Sequence, residues 1–261
     1  MEIEDFSVQT GGKRNNSPFF PKSLRGLLIG RSNGGKTNLL LNLLLRPGWL
    51  DYEVLMIYSN SLHQTEYQLL KRGFEMGLSK EQISNLIYNQ SVIDPLIAIT
   101  NYKGTCDGNI SAKFFENESD IPDPKTLDPK LKNLLILDDC YLGKQSAAGS
   151  YYSRGRHNNC DTLYISQNYF ALPRNSVREN SNFIILFPQN SKSISHIYQD
   201  HASELNYEEF FNFCQSCWSK KFDFVTIDLT SDILYGKFRK NIQTFYIPKS
   251  LLPESVDDSS S

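Results

Sequence analysis

The chain has 261 residues, 39% hydrophobic and 21% charged, with a formal net charge of −2. That length suits one large domain or two small ones, and no apolar run approaches the roughly 20 residues of a membrane span. The mild acidity argues against a whole surface given to nucleic acid, although basic side chains gathered in a channel are compatible with it.

In chain order, residues 1–22 read as a flexible polar arm without the apolar core of a signal peptide. Leu24–Ile29 is expected to be a strand and Lys36–Leu45 a helix, stopped by Arg46-Pro47-Gly48. Val54–Tyr58 follows as a second strand. Helices are expected at His63–Phe74, at Ser79–Leu86 with Ser79 as N-cap, and at Asp94–Tyr102, with a short edge strand at Ile87–Asn89. Thr105–Lys130, rich in Gly, Asn, acids and prolines, reads as a surface insertion. Leu134–Leu137, Thr162–Ile165 and Phe183–Phe187 are apolar strands, with Gly143–Tyr152 a loop or helix between the first two. Helices at Ile194–His201 and Tyr207–Lys220 come next. Phe222–Leu229, Ile233–Phe238 and Ile242–Ile247 alternate as antiparallel strands should. The acidic, serine-rich tail from residue 251 is expected to be disordered. Short apolar strands alternating with helices predict an α/β fold: a mostly parallel sheet covered on both faces, with one domain over residues 23–250.

The five cysteines are scattered and odd in number, which suits reduced thiols and an intracellular location. Cys214-Gln-Ser-Cys217 is a lone C-x-x-C in an aromatic helical run, so these thiols are expected to be buried and structural.

Gly30-Arg31-Ser32-Asn33-Gly34-Gly35-Lys36-Thr37, between strand and helix, has the spacing of a phosphate-binding loop. Its glycines let successive N–H groups converge, and the helix starting at Lys36 adds its positive end, with Asn38 in the first turn. Lys36 can reach the β- and γ-phosphates of ATP, and the Thr37 hydroxyl can ligate Mg²⁺. Asp138 ends an apolar strand, where it can hold Mg²⁺ through water. Asp139, expected on the other side of the strand end, can polarise water as a general base. Gln167, just past the Thr162–Ile165 strand, can touch the γ-phosphate or the lytic water. The basic loop Ser153–Asn159 can supply Arg154 or Arg156 to a neighbouring subunit's nucleotide, with Arg174 and Arg178 as rivals.

The set G-R-S-N-G-G-K-T, L-L-I-L-D-D, S-R-G-R-H-N-N, L-Y-I-S-Q-N-Y-F and V-R-E-N resembles that of the poxvirus-type DNA-packaging ATPases. These belong to the FtsK–HerA translocases and have relatives in giant viruses, virophages and Polinton-like transposons. Tyr58-Ser59-Asn60, Gln64 and Tyr67 resemble the segment after that family's second strand. The resemblance spans about residues 24 to 229. It implies a three-layer, RecA-like additional-strand core and a homo-oligomeric ring that pumps double-stranded DNA into a preformed capsid, with capsid or portal-like vertex proteins as partners. It implies Lys36 and Thr37 on phosphates and Mg²⁺, Asp138 on Mg²⁺, Asp139 as base and Gln167 as sensor. The arginine finger would be Arg156 or Arg154. It also implies a location in host cytoplasm, nucleus or viral factory, or in the virion, without a membrane. Many additional-strand enzymes carry Glu where this chain has Asp139.

Three other readings keep the phosphate loop: a translocase or helicase with a non-packaging role, a small-molecule kinase, and an assembly protein that switches without useful hydrolysis. For DNA contact, Lys144 and the Lys237–Lys240 run are the candidates, each equally readable as solvated surface.

Overall fold

The computed structural model describes residues 13–88, 94–140 and 145–251. Lys144, residues 1–12 and the tail beyond 251 lie outside these ranges. Among the described residues, nine strands form one sheet: β1 (Arg25–Ile29), β2 (Val54–Ser59), β3 (Ser111–Phe115), β4 (Asn133–Asp138), β5 (Cys160–Ser166), β6 (Phe183–Leu186), β7 (Val225–Asp228), β8 (Phe238–Lys240) and β9 (Thr244–Tyr246). Their order is β3-β2-β4-β5-β1-β6-β7-β8-β9. The first six in that order are parallel neighbours and the last three join antiparallel.

The near-continuous apolar runs of β2, β4 and β6 exist because both sheet faces are covered. The pleat alternates between two cores. Leu27 and Ile29 of β1 pack on one side, with α5 (Ser146–Arg154), α6 (Ser191–His201) and α7 (Tyr207–Cys217). Leu28 packs on the other, with α1 (Lys36–Leu45), α2 (Thr65–Glu75), α3 (Lys80–Tyr88) and α4 (Pro95–Thr100). The result is a three-layer α/β sandwich. β5 lies between β1 and β4, which is the additional-strand arrangement that the sequence resemblance implies.

Several expectations shift. Ile87 and Tyr88 close α3 instead of forming an edge strand; Asn89 lies outside the described residues. Ser79 does cap this helix: its Oγ accepts from Gln82 N (3.3 Å), and Gln82 Oε1 accepts from Ser79 N (2.9 Å). That reciprocal pair satisfies two otherwise orphaned donors. The Thr105–Lys130 stretch is not plain insertion, because it supplies edge strand β3, parallel to β2. It also braces α5. Glu118 accepts from Ala147 N at 2.9 Å and from Ser146 Oγ at 3.1 Å, and Pro122 O accepts from Tyr151 Oη. Its glycines and prolines hid a strand whose exposed edge needs little apolar alternation.

The arm is packed from residue 14. The Arg14 side chain is buried, pairs with buried Asp161 and donates to the carbonyls of Asp51, Asn133 and Asn159. Phe20 joins the core beside Phe183. Ile233–Lys237 is mostly turn, closed by Asp232: its Oδ1 accepts from Leu234 N (2.9 Å) and its carbonyl from Tyr235 N (3.0 Å) and Lys237 N (3.1 Å). Asp228, just before it, accepts from Thr230 N, Thr230 Oγ1 and Ser231 Oγ, and pairs with buried Arg239. The basic run 237–240 is therefore no open DNA patch: Lys237 is buried and paired with Glu204, and Arg239 is buried. Cys214 and Cys217 are buried and free, as are Cys140 and Cys160.

The rival arginines are also engaged. Arg178 Nη1 pairs with Asp200 at 3.0 Å, and Arg174 pairs with Glu179. Asp200 also accepts from Tyr169 Oη (2.6 Å), whose oxygen lies 2.8 Å from His201 Nε2. Burial holds His201 neutral and lowers its pKa to about 4. The unfolded chain takes up this proton between about pH 6.5 and 4 while the folded protein does not. Stability should therefore fall as pH drops through that window, by up to about 3 kcal/mol. Urea unfolding of the parent and His201→Gln between pH 7 and 4 checks this: the variant's profile should be flatter, and identical profiles would exclude it.

Candidate nucleotide site

The strand registers bring the site together. Ile29 is paired with Ser166, and Asp138 with Ile165, so β1, β4 and β5 end level at the carboxyl edge of the sheet. Gly30, Asp138–Asp139 and Gln167 follow from those three ends. Ser32–Asn38, Ser61, Gln64, Glu66, Asp138, Asp139, Gln167 and Phe222 line one cavity of about 420 Å³.

The loop curls because Asn33 (φ 58°) and Gly35 (φ 102°) are left-handed and Gly34 N closes a turn on Arg31 O at 3.1 Å. Helix α1 begins with no side-chain cap and no acid in its first turn. Its first N–H groups are therefore left to an incoming anion, favoured by the helix dipole. Gly30 and Arg31 contribute carbonyls rather than cavity surface: Lys36 Nζ donates to them at 2.7 and 3.0 Å. Burial lowers the Lys36 pKa, and Asp139 and Asp138 oppose that shift. An ammonium held over its own loop by carbonyls can move to phosphate oxygens when they arrive.

Asp138 is buried and accepts from Tyr67 Oη (2.5 Å) and Ser59 Oγ (3.3 Å). Burial raises its pKa. Tyr67 and Ser59 hydrogen bonds and the Lys36 charge pull it back, while Asp139 adds to the rise. Asp139 corrects the expectation that it faces away. Continuing the strand would send it to the opposite face, but at φ 49° the chain turns and both carboxylates line the same cavity. Its Oδ2 accepts from Gln167 Nε2 at 2.6 Å, and its Oδ1 is buried without a hydrogen-bond partner. The Asp138 carboxylate and the Thr37 hydroxyl, lining the same cavity, are oxygen donors of the kind that fits hydrated Mg²⁺, and the orphaned Asp139 acceptor is left for a water. The metal would supply positive charge across the β- and γ-phosphate oxygens.

Arg154 and Arg156 are exposed and sit before β5, at the amino edge of the sheet. The seven residues of β5, about 20 Å, separate them from Gln167. Arg156 lies near enough to Arg25, at the start of β1, that its charge adds to burial in lowering the Arg25 pKa. One chain therefore does not bring its arginine loop to its own phosphate loop.

Tyr67 enters the sequence reading through the expected His63–Phe74 helix and the motif resemblance, neither of which gives its hydroxyl a partner; the structure places it on Asp138. Tyr67→Phe is expected to raise the Mg²⁺ concentration for half-maximal ATP turnover about 10-fold, since groups that orient a metal ligand typically matter by that factor. Metal-free ATP binding should be unchanged. An unmoved Mg²⁺ dependence would leave Tyr67 a packing residue. Glu66 and Phe222 were not singled out, one lost among surface acids and the other 186 residues beyond Lys36.

Fold and loop together define an additional-strand P-loop NTPase architecture. No family model and no curated protein matches the chain. Similar solved structures include the genome packaging NTPase B204 of Sulfolobus turreted icosahedral virus 2 in complex with AMP: 15% identity over 80% of this chain and 93% of that one, TM-score 0.47. B204, the DNA-packaging ATPase of Sulfolobus Turreted Icosahedral Virus, is similar at 14% identity over 78% and 92%, TM-score 0.47. VirB4 of Thermoanaerobacter pseudethanolicus is similar at 12% identity over 88% and 96%, TM-score 0.43. Among the described residues, no helix is long and apolar enough to cross a membrane.

Proposed function

We propose that this chain is an ATP-hydrolysing motor that moves double-stranded DNA as a homo-oligomeric ring, packaging a viral or virus-like genome into a capsid. The observation that carries the reading is the divided site. The phosphate loop, paired aspartates and Gln167 meet at one edge of the sheet, and the exposed arginines stand at the other. Such a site is completed by the arginine loop of a neighbouring copy. The DNA and capsid assignments rest on the resemblance of the motif set.

In this reading the Gly30–Asn38 backbone and Lys36 bind the phosphates, while Thr37 and Asp138 would hold Mg²⁺. Asp139 takes a proton from the attacking water. Gln167, bonded to Asp139, exchanges that bond for one to the γ-phosphate or the water and so reports the nucleotide state along β5. The test is the ATPase rate with and without double-stranded DNA, run beside a mass measurement of the assembly. DNA-stimulated turnover confined to a ring supports the motor. Full turnover by a monomer indifferent to DNA, or phosphoryl transfer to a small acceptor, overturns it.

A further inference from the structure

Among the described residues lining the nucleotide cavity, all are polar, charged or glycine except Phe222. The phosphate loop recognises phosphates through backbone N–H groups and is blind to the base attached to them. A base needs a flat apolar face, and this cavity offers one.

Phe222 sits in the turn between α7 and β7, at φ 72°. A bulky side chain in the left-handed region is an outlier, and such strain persists where its surroundings impose it, often at ligand clamps. Both flanks impose it here. Asp223 Oδ2 accepts from Lys220 N (2.8 Å) and Ser219 Oγ (3.2 Å), closing the turn before it. Phe224, after it, packs on Phe187 at 5.5 Å, and Phe187 lies against Gly30. Phe222 is left 47% exposed, its ring against the phosphate loop: a Cβ on Gly35 would lie 2.7 Å from Phe222 Cδ1. Lys221 Nζ, 4.8 Å from the ring centroid, brings positive charge to the same mouth.

We propose that Phe222 is the base-stacking residue of this site, so that the ligand is a nucleoside triphosphate held at both ends, phosphates by Gly30–Asn38 and base by the phenyl ring. The proposal rests on the nucleotide-binding reading above and adds the contact that lets the site distinguish a nucleotide from a bare polyphosphate.

The experiment is calorimetric binding of ATP and of inorganic tripolyphosphate, both without Mg²⁺, to the full chain and its variants. The parent should bind ATP more tightly than tripolyphosphate. Phe222→Ala should weaken ATP by about 10–100-fold, the usual loss of one aromatic–base stack, and leave tripolyphosphate unchanged. Phe222→Gly suits the left-handed backbone, secures the fold and should match Ala. Phe222→Tyr should bind as the parent does, whereas Phe222→Leu, with bulk but no ring, should resemble Ala. Unchanged ATP affinity in Phe222→Ala, or equal weakening of both ligands, would overturn the proposal, the second outcome making the ring a prop for the loop. Lys36→Ala separates this failure from a deeper one: if it leaves both ligands bound as before, the phosphate site itself is misassigned.

Discussion

Asp139→Asn is expected to lower ATP turnover about 10²–10⁴-fold while leaving ATP affinity within a few-fold, the usual size of a lost general base. The change is isosteric, and the amide oxygen can still accept from Gln167 Nε2, so the strand end should keep its shape. What disappears is the charge that draws a proton from water. The left-handed backbone at Asp139 makes this assignment physical, because it turns the second carboxylate toward the loop instead of the opposite face. Asp138→Asn should behave differently, weakening Mg²⁺ dependence as well as rate. Single-turnover hydrolysis beside equilibrium ATP binding measures both quantities. Parent-like turnover by Asp139→Asn would remove Asp139 as base and move the role to Glu66, which lines the same cavity from the first turn of α2.

The second large effect concerns Arg156. Arg156→Ala is expected to cut turnover about 10³-fold, as arginine fingers do, with ATP binding spared. The loop that carries it is held firmly. Asn158 Nδ2 donates to Pro124 O at 2.7 Å, Asn133 Nδ2 donates to Asn158 O at 3.2 Å, and Arg14 donates to Asn159 O at 2.6 Å. The scaffold is thus fixed while the guanidinium is presented outward. Arg154 keeps one bond within its own helix, from Nη2 to Ser150 Oγ at 3.1 Å, so its loss should matter less. Mixing decides whether the arginine acts between subunits. Arg156→Ala and Lys36→Ala should each be nearly inactive alone, and a mixture should regain activity, because some interfaces then combine an intact loop with an intact arginine. A mixture as inactive as its parts would mean that the arginine does not work across an interface.

The chain's own order of residues determined which side chains gather at one sheet edge. The glycine spacing, the apolar runs ending in Asp138 and Gln167, and the parallel sheet were legible because short-range patterns encode them: period-two burial, a turn needing glycine, a strand too apolar to lie anywhere but the middle. The tertiary structure alone decided what depends on contacts distant in sequence. Edge strand β3 forms within a stretch of turn-forming residues because β2 offers it backbone partners. Part of the N-terminal arm orders because Arg14 pairs with buried Asp161, 147 residues away. Tyr67 reaches Asp138 across 71 residues, and Phe222 reaches Gly35 across 187. Local pattern specifies which backbone a segment prefers. Which side chains then meet is set by how the layers pack, and periodicity in the chain carries no record of that.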